Sequence, residues 1–252
     1  MSAKNSLKQF RLDVVKRVVS YQKNKKLQQA RQNLHNEMVK ARYAYNFFWL
    51  GVPIIQPPAE IQGLQEIIWE VKPDLIIETG IAHGGSLVFS ASMLALLEVC
   101  GKIKNGRVVG VDIEIRPHNK KAVLAHPLSK KITMLEGSSI DQGIVKKVAE
   151  LAKNKKRVLV CLDSNHTHEH VLAELQAYTP LVSRGSYCVV GDTGIEDLPA
   201  ATVSGRPWSK GNNPKTAVWE FLKTNKNFKL DKVIELKLIL TGSSDGYLKR
   251  IK

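Results

Sequence analysis

Five short apolar runs, each closed by a polar or acidic residue, constrain this chain more than any other feature. They fall at 74–78, 107–112, 131–136, 157–163 and 186–192, and amphipathic stretches of helical spacing lie between them. A near-continuous Val, Ile and Leu run is what a parallel strand needs when helices cover both of its faces. Alternation of such runs with helices predicts an α/β, Rossmann-like open sheet. Helices are expected over 85–99, 142–153, 166–178 and 214–224, the last with Asn213 as N-cap and Pro214 at its first position. Two further β-like pieces, 228–236 and 246–251, show no convincing helix between them and should form an antiparallel edge, giving seven strands. The segment 194–213 is long and irregular and is expected to act as a lid over a site.

Charge is unevenly spread. Residues 1–46 hold 11 of the 38 Lys and Arg but 2 of the 23 Asp and Glu. This stretch lacks Pro and Gly and repeats Phe10, Val14, Val18 and Tyr21 at helical spacing, so a basic helix is expected from Ser6 to about Tyr45. It would pack on the body or on a second subunit, or meet an anionic partner, whether a membrane surface or nucleic acid. The expected division is a helical extension at 1–56 and a main domain at 57–252. Apolar stretches are shorter than the roughly 20 residues of a membrane span, no secretory leader is visible, and Cys100, Cys161 and Cys188 read as buried free thiols. A cytoplasmic location is the expectation.

In an open parallel sheet, ligands bind beyond the carboxyl ends of the strands. The first run leads into Glu78-Thr79-Gly80-Ile81-Ala82-His83-Gly84-Gly85-Ser86, a glycine-rich turn opening on a helix N-terminus. It lacks the glycine spacing of the dinucleotide fingerprint, which argues against a nicotinamide enzyme. The second run ends in Asp112, placed where a carboxylate meets a ribose diol. The third ends in Gly137-Ser138-Ser139, small polar residues able to flank a flat base, and the fourth in Asp163-Ser164-Asn165-His166. Each polar end taken alone is equally well a helix cap or turn residue.

Together with Phe48-Trp49-Leu50-Gly51-Val52-Pro53 and the stretch 65–74, these ends resemble the cephalosporin hydroxylase family, which also includes rhamnosyl O-methyltransferases. The resemblance runs from about residue 45 to the end. Its most specific stretches are 78–86, 110–116, 162–175 and 211–218. It implies a class I methyltransferase fold that binds S-adenosylmethionine (SAM), with Glu78, Gly80, Ala82, His83, Gly85 and Ser86 around the methionine part. It further implies Asp112 at the ribose and Ser138 and Ser139 by the adenine. Relatives and the similar catechol-type enzymes hold Mg²⁺ with carboxylates after the fourth and fifth strands, here Asp163 and Asp192, with Asn165 available beside them. Where family members usually read Glu-Asp-Thr, this chain reads Gly191-Asp192-Thr193, so one expected carboxylate is missing. Mg²⁺ often keeps several waters, so two carboxylates could suffice.

His166 follows Asp163 by three, where catechol-type enzymes place a basic residue, and is the candidate general base, with an N-cap or support to a metal ligand as its alternatives. His168 and His170 read as surface residues at a helix start, and zinc is disfavoured because only His166 and His170 would share a helix face. Arg206, Trp208, Lys210, Asn212 and Asn213 in the lid offer an aromatic platform and donors suited to a sugar, with Arg206, Trp208 and Asn213 as the leading substrate contacts. The expectation is a SAM-dependent O-methyltransferase, Mg²⁺-assisted through Asp163 and Asp192, acting on a glycan or secondary metabolite. Self-association through the N-terminal helix is also expected, and nucleic acid is disfavoured as a partner. The alternatives are an RNA methyltransferase using the basic N-terminal helix and a non-catalytic subunit that keeps the fold.

Overall fold

The computed structural model describes residues 3–252, with side chains from residue 5 onward. Seven strands form the main sheet: β3 (Leu75–Thr79), β4 (Arg107–Asp112), β5 (Ile132–Glu136), β6 (Val158–Leu162), β7 (Tyr187–Val190), β8 (Phe228–Leu230) and β9 (Tyr247–Arg250). Their order is β5-β4-β3-β6-β7-β9-β8. The first five are mutually parallel and β9 pairs antiparallel with both β7 and β8. All five expected parallel strands are present: β4 matches its run, β3 is shifted by one residue, and β5, β6 and β7 are one to three residues shorter, with Asp163 and Asp192 beyond the ladder in the loops. Alternate side chains of these runs go to opposite faces. Leu75, Ile77, Val109, Val111, Val158 and Val160 pack in one core, while Ile76, Val108, Leu159 and Cys161 pack in the other.

Helices α4 (Gly85–Val99), α6 (Gln142–Ala152), α7 (His168–Tyr178) and α8 (Pro214–Thr224) lie where the periodicity puts them. His166 is an exception, since α7 begins at His168, with Asn165 Oδ1 accepting from Thr167 N at 2.9 Å in the preceding turn. Between β3 and the N-terminal segment lie a two-stranded hairpin, β1 (Phe47–Trp49) and β2 (Val52–Ile54), and α3 (Pro58–Val71), while α5 (Pro117–Ala125) follows β4. Trp49 of the hairpin sits edge-on to Phe89 of α4 at 4.9 Å and donates to Ser92 Oγ at 3.0 Å.

Two expectations are corrected. The piece 228–236 is not one strand: it stops at Leu230, and α9 (Lys232–Leu238) follows, capped by Asp231 Oδ1, which accepts from Val233 N at 3.1 Å and Ile234 N at 3.4 Å. Val233, Ile234 and Leu236 look β-prone, but the Asp cap decides the local structure. The N-terminal helix is also not continuous. It breaks into α1 (Ala3–Ser20) and α2 (Lys25–Lys40), with Asn24 Oδ1 accepting from Leu27 N at 3.0 Å to start the second. Of its apolar repeat Val18 is buried, but Phe10 is 62% exposed. Cys161 and Cys188 are buried free thiols as expected, whereas Cys100 is exposed at the end of α4. No helix among the described residues is long and apolar enough to cross a membrane.

Candidate active site

β3 and β6 are neighbours, but the chain leaves β3 for β4 on one side and reaches β6 only later, so the loops after them diverge and open a crevice. Gly80 makes that crevice tight. It sits at φ 87°, and a Cβ there would overlap the Asp163 carbonyl oxygen, so only glycine lets the two loops touch. A cavity of about 550 Å³ occupies the crevice. Gly80, Ala82, His83, Gly85, Ser86, Asp112, Asp163, His166, Asp192, Arg206 and Trp208 all line it.

On the turn side, the Glu78 carboxylate is 4% exposed and accepts a hydrogen bond from Ser86 Oγ. Burial pushes its pKa up to about 7, against the opposing pull of the Ser86 hydroxyl. Asp112 shapes the turn directly: its Oδ2 accepts from Ile81 N at 2.7 Å and from Ala82 N at 3.2 Å, which holds Ala82 at φ 46°. Asn119 completes the brace, donating to Ala82 O at 2.8 Å and standing 3.3 Å from His83 Nδ1.

Across the cavity Asp163, His166 and Asp192 each bring a ligand-type atom within 4.8 Å of the others. His166 Nε2 lies 3.2 Å from Asp192 Oδ2. Lost solvent first, then the like charges of Asp192, Glu60, Glu78 and Glu174, hold the Asp163 pKa well above the usual carboxylate range. Such crowding of oxygen donors is what a divalent cation relieves, and the two carboxylates suit it. The missing carboxylate has a steric counterpart: a Cβ at Gly191 would overlap Asp163 Oδ1, so no larger residue fits at 191 while Asp163 keeps this position.

Several side chains were not foreseen. Glu60 of α3 faces the same cavity and accepts from Gly242 N at 2.6 Å, Thr241 Oγ1 at 2.9 Å and Ser243 Oγ at 3.2 Å, clamping the loop before β9. Its partners lie some 180 positions away, which no local pattern reveals. Gln56 lines the cavity with a buried Oε1 that has no hydrogen-bond partner among the described residues. His35, Met38, Arg42, Tyr43 and Tyr45 of the N-terminal segment also line the cavity, so α2 and the turn after it form a wall of the site. Their basic and aromatic character was legible, but their destination was not.

Other expected residues have different employment. Asn213 is fully buried, its Oδ1 accepting from Lys215 N at 3.0 Å and Thr216 N at 3.4 Å while its amide donates to Glu196 and Ser209, so it caps α8 and does not face the acceptor side. Asn213→Ala is expected to destabilise the protein by about 2 kcal/mol in urea unfolding, with affinity for S-adenosylhomocysteine (SAH) unchanged. Asn212 Oδ1 likewise accepts from His168 N at 2.9 Å to start α7. Ser138 and Ser139 stand apart from the cavity wall, and Ser139 Oγ lies 3.0 Å from His170 Nε2. His170 is therefore not a plain surface residue: it joins Ser139, Ser164 and the buried Glu174 in one polar network. His168 sits 2.8 Å from Thr216 Oγ1 and 3.2 Å from Glu220, tying α7 to α8.

The open sheet with this strand order is the fold of solved methyltransferases. An apo structure of CmcI matches with a TM-score of 0.54 at 17% identity, covering 82% of this chain and 77% of that one. A CmcI structure with Mg and SAM gives 0.53 at 15%, covering 82% and 78%. The TDP-rhamnose 3'-O-methyltransferase CalS11 gives 0.50 at 17%, covering 81% and 89%. The sequence profile of the rhamnosyl O-methyltransferase/CmcI family matches residues 41–251, and the chain belongs to that family. It is similar to a rhamnosyl O-methyltransferase of Mycobacterium tuberculosis, 27% identical over 219 residues and 82% of each chain. A rhamnosyl O-methyltransferase of Mycobacterium leprae is 29% identical over 153 residues, 60% of this chain and 62% of that one.

Proposed function

We propose that this protein is a SAM-dependent O-methyltransferase acting on a hydroxyl of a sugar or similarly polyhydroxylated small molecule. One observation carries the reading: the Gly80, Ser86 and Asp112 cradle, with Glu78 buried behind Ser86, and the Asp163, His166, Asp192 cluster open into the same cavity. Glu78 with Ser86 would hold the amino-acid end of the methyl donor, and Asp112 would meet its ribose hydroxyls. A family likeness supports Ser138 and Ser139 near the adenine, although they stand outside the cavity wall. The donor contributes an electrophilic methyl on a sulfonium.

Asp163 and Asp192 fit a divalent cation by their oxygen donors and mutual crowding, and such an ion would polarise the acceptor hydroxyl. With Nε2 turned to Asp192, the other ring nitrogen of His166, Nδ1, would take the proton from that hydroxyl as the oxygen attacks the methyl carbon and the carbon–sulfur bond breaks. Asp192, hydrogen-bonded to the imidazole, stabilises the imidazolium that forms. Trp208 meets His166 edge-on at 4.7 Å and fixes the ring plane. Most of the acceleration would come from holding oxygen and methyl in line.

Calorimetric titration with SAH, with and without Mg²⁺, tests the reading. Micromolar binding is expected, weakened at least roughly tenfold in Asp112→Ala, which loses both the diol contact and the brace on the turn. Mg²⁺ should bind the wild type and not Asp163→Asn. A folded protein that binds no SAH under either condition would remove the proposal.

A further inference from the structure

An acceptor longer than a single sugar ring would continue past the rim of this cavity of about 550 Å³. Two arginines stand there, both exposed and both lining the cavity: Arg42, at the turn after α2, and Arg206, in the lid. Each guanidinium is laid on an aromatic ring, Arg42 at 4.6 Å from the Tyr45 centroid and Arg206 at 5.5 Å from that of Trp208. Neither has a carboxylate within ion-pair distance among the described residues, while acids in the same cavity are engaged elsewhere: Glu60 with the loop at 241–243, Asp112 with turn amides, Asp192 with His166.

Arg42 also adopts a left-handed backbone, φ 53° and ψ 39°, which an L-residue with a long side chain rarely takes. That conformation ends α2, with Arg42 N donating to Val39 O at 3.0 Å, and it sets Arg42 at the cavity rim. Arg206 connects to the reacting centre through Trp208, since the same indole meets the His166 ring at 4.7 Å. Arg206 and His166 thus share one indole between them and open into one cavity.

Building on the methyltransferase reading, we infer that the acceptor is a phosphorylated saccharide, whose phosphate or diphosphate is gripped at the rim by Arg42 and Arg206 while a ring hydroxyl reaches His166. Guanidinium planes pre-set on aromatic rings suit phosphate oxygens, which they meet in bidentate fashion. Two such groups from different elements, the N-terminal wall and the lid, would close on the anion from two sides.

The test is calorimetric titration without divalent cation, run with and without SAH, using inorganic pyrophosphate, UDP, geranyl diphosphate and the neutral methyl α-glucoside. The wild type should bind at least one diphosphate probe at least roughly tenfold more tightly than the glucoside, with affinity falling as salt rises. Arg42→Ala and Arg206→Ala should each weaken that probe about tenfold, and Arg206→Lys by less, while SAH affinity stays at the wild-type value. UDP binding better than geranyl diphosphate would assign a nucleotide carrier, and the reverse a lipid one. Unchanged diphosphate binding in both alanine variants, equal affinity for glucoside and diphosphates, or no binding of any diphosphate would each overturn the inference. Loss of SAH binding in the wild type would instead remove the methyltransferase reading, and the arms without SAH would still report on the anion site.

Discussion

Replacing His166 with alanine is expected to lower kcat by about 10²- to 10⁴-fold while leaving SAH affinity within about twofold of wild type. The imidazole is held from two sides, by Asp192 at 3.2 Å and by the Trp208 ring at 4.7 Å, and it stands at the acceptor side of the cavity, away from the turn that would carry the methyl donor. Added imidazole should restore part of the rate in the alanine variant, because the vacated volume borders an open cavity. His166→Gln keeps much of the bulk without the basic nitrogen and should be as slow as the alanine variant. A loss below about threefold in both variants would leave His166 a positioning residue and put proton removal on solvent.

A second large effect concerns stability. In the unfolded chain Glu78 titrates near 4.5, and in the folded protein burial raises this to about 7. Between those values the folded state keeps a proton that the unfolded state has lost. The unliganded protein is then most stable below the lower value and loses stability as pH climbs through the upper one, by about 3 kcal/mol from this group alone. Glu60 and Asp163 are raised for the same reason and add to the slope in the same sense. Urea unfolding at pH 5 and pH 8 should show the decline, and Glu78→Gln should remove about 3 kcal/mol of it. Identical slopes in the two proteins would mean that Glu78 ionises without cost and that water reaches it.

Much of this architecture was legible because it is written locally. Apolar runs of five to seven residues, closed by Glu78, Asp112, Glu136, Asp163 and Asp192, placed five parallel strands and the crevice beyond them. Asn213 and Pro214 announced α8 as cap and first turn, and that same local job is why Asn213 is unavailable to an acceptor. The failures are of two kinds. In 228–236, β-prone side chains outweighed a single cap residue, and α9 was lost. Glu60, Gln56, Arg42 and the His170 network depend on contacts between residues far apart in the chain, and periodicity carries no record of such meetings. The lost carboxylate at Gly191 could be noticed in the sequence, but its steric partner, Asp163, needed three dimensions.

Among the described residues, neither hydrophobic core takes one from before Phe47, yet His35, Met38, Arg42, Tyr43 and Tyr45 wall the cavity. The groups that would read the acceptor and those that would hold the donor are thus under separate control. The first forty-five residues reach the body through buried Val18 and the packing of α1 on α9, not through the strands themselves. A change at this wall would alter what can enter the cavity without rebuilding the strands beneath it.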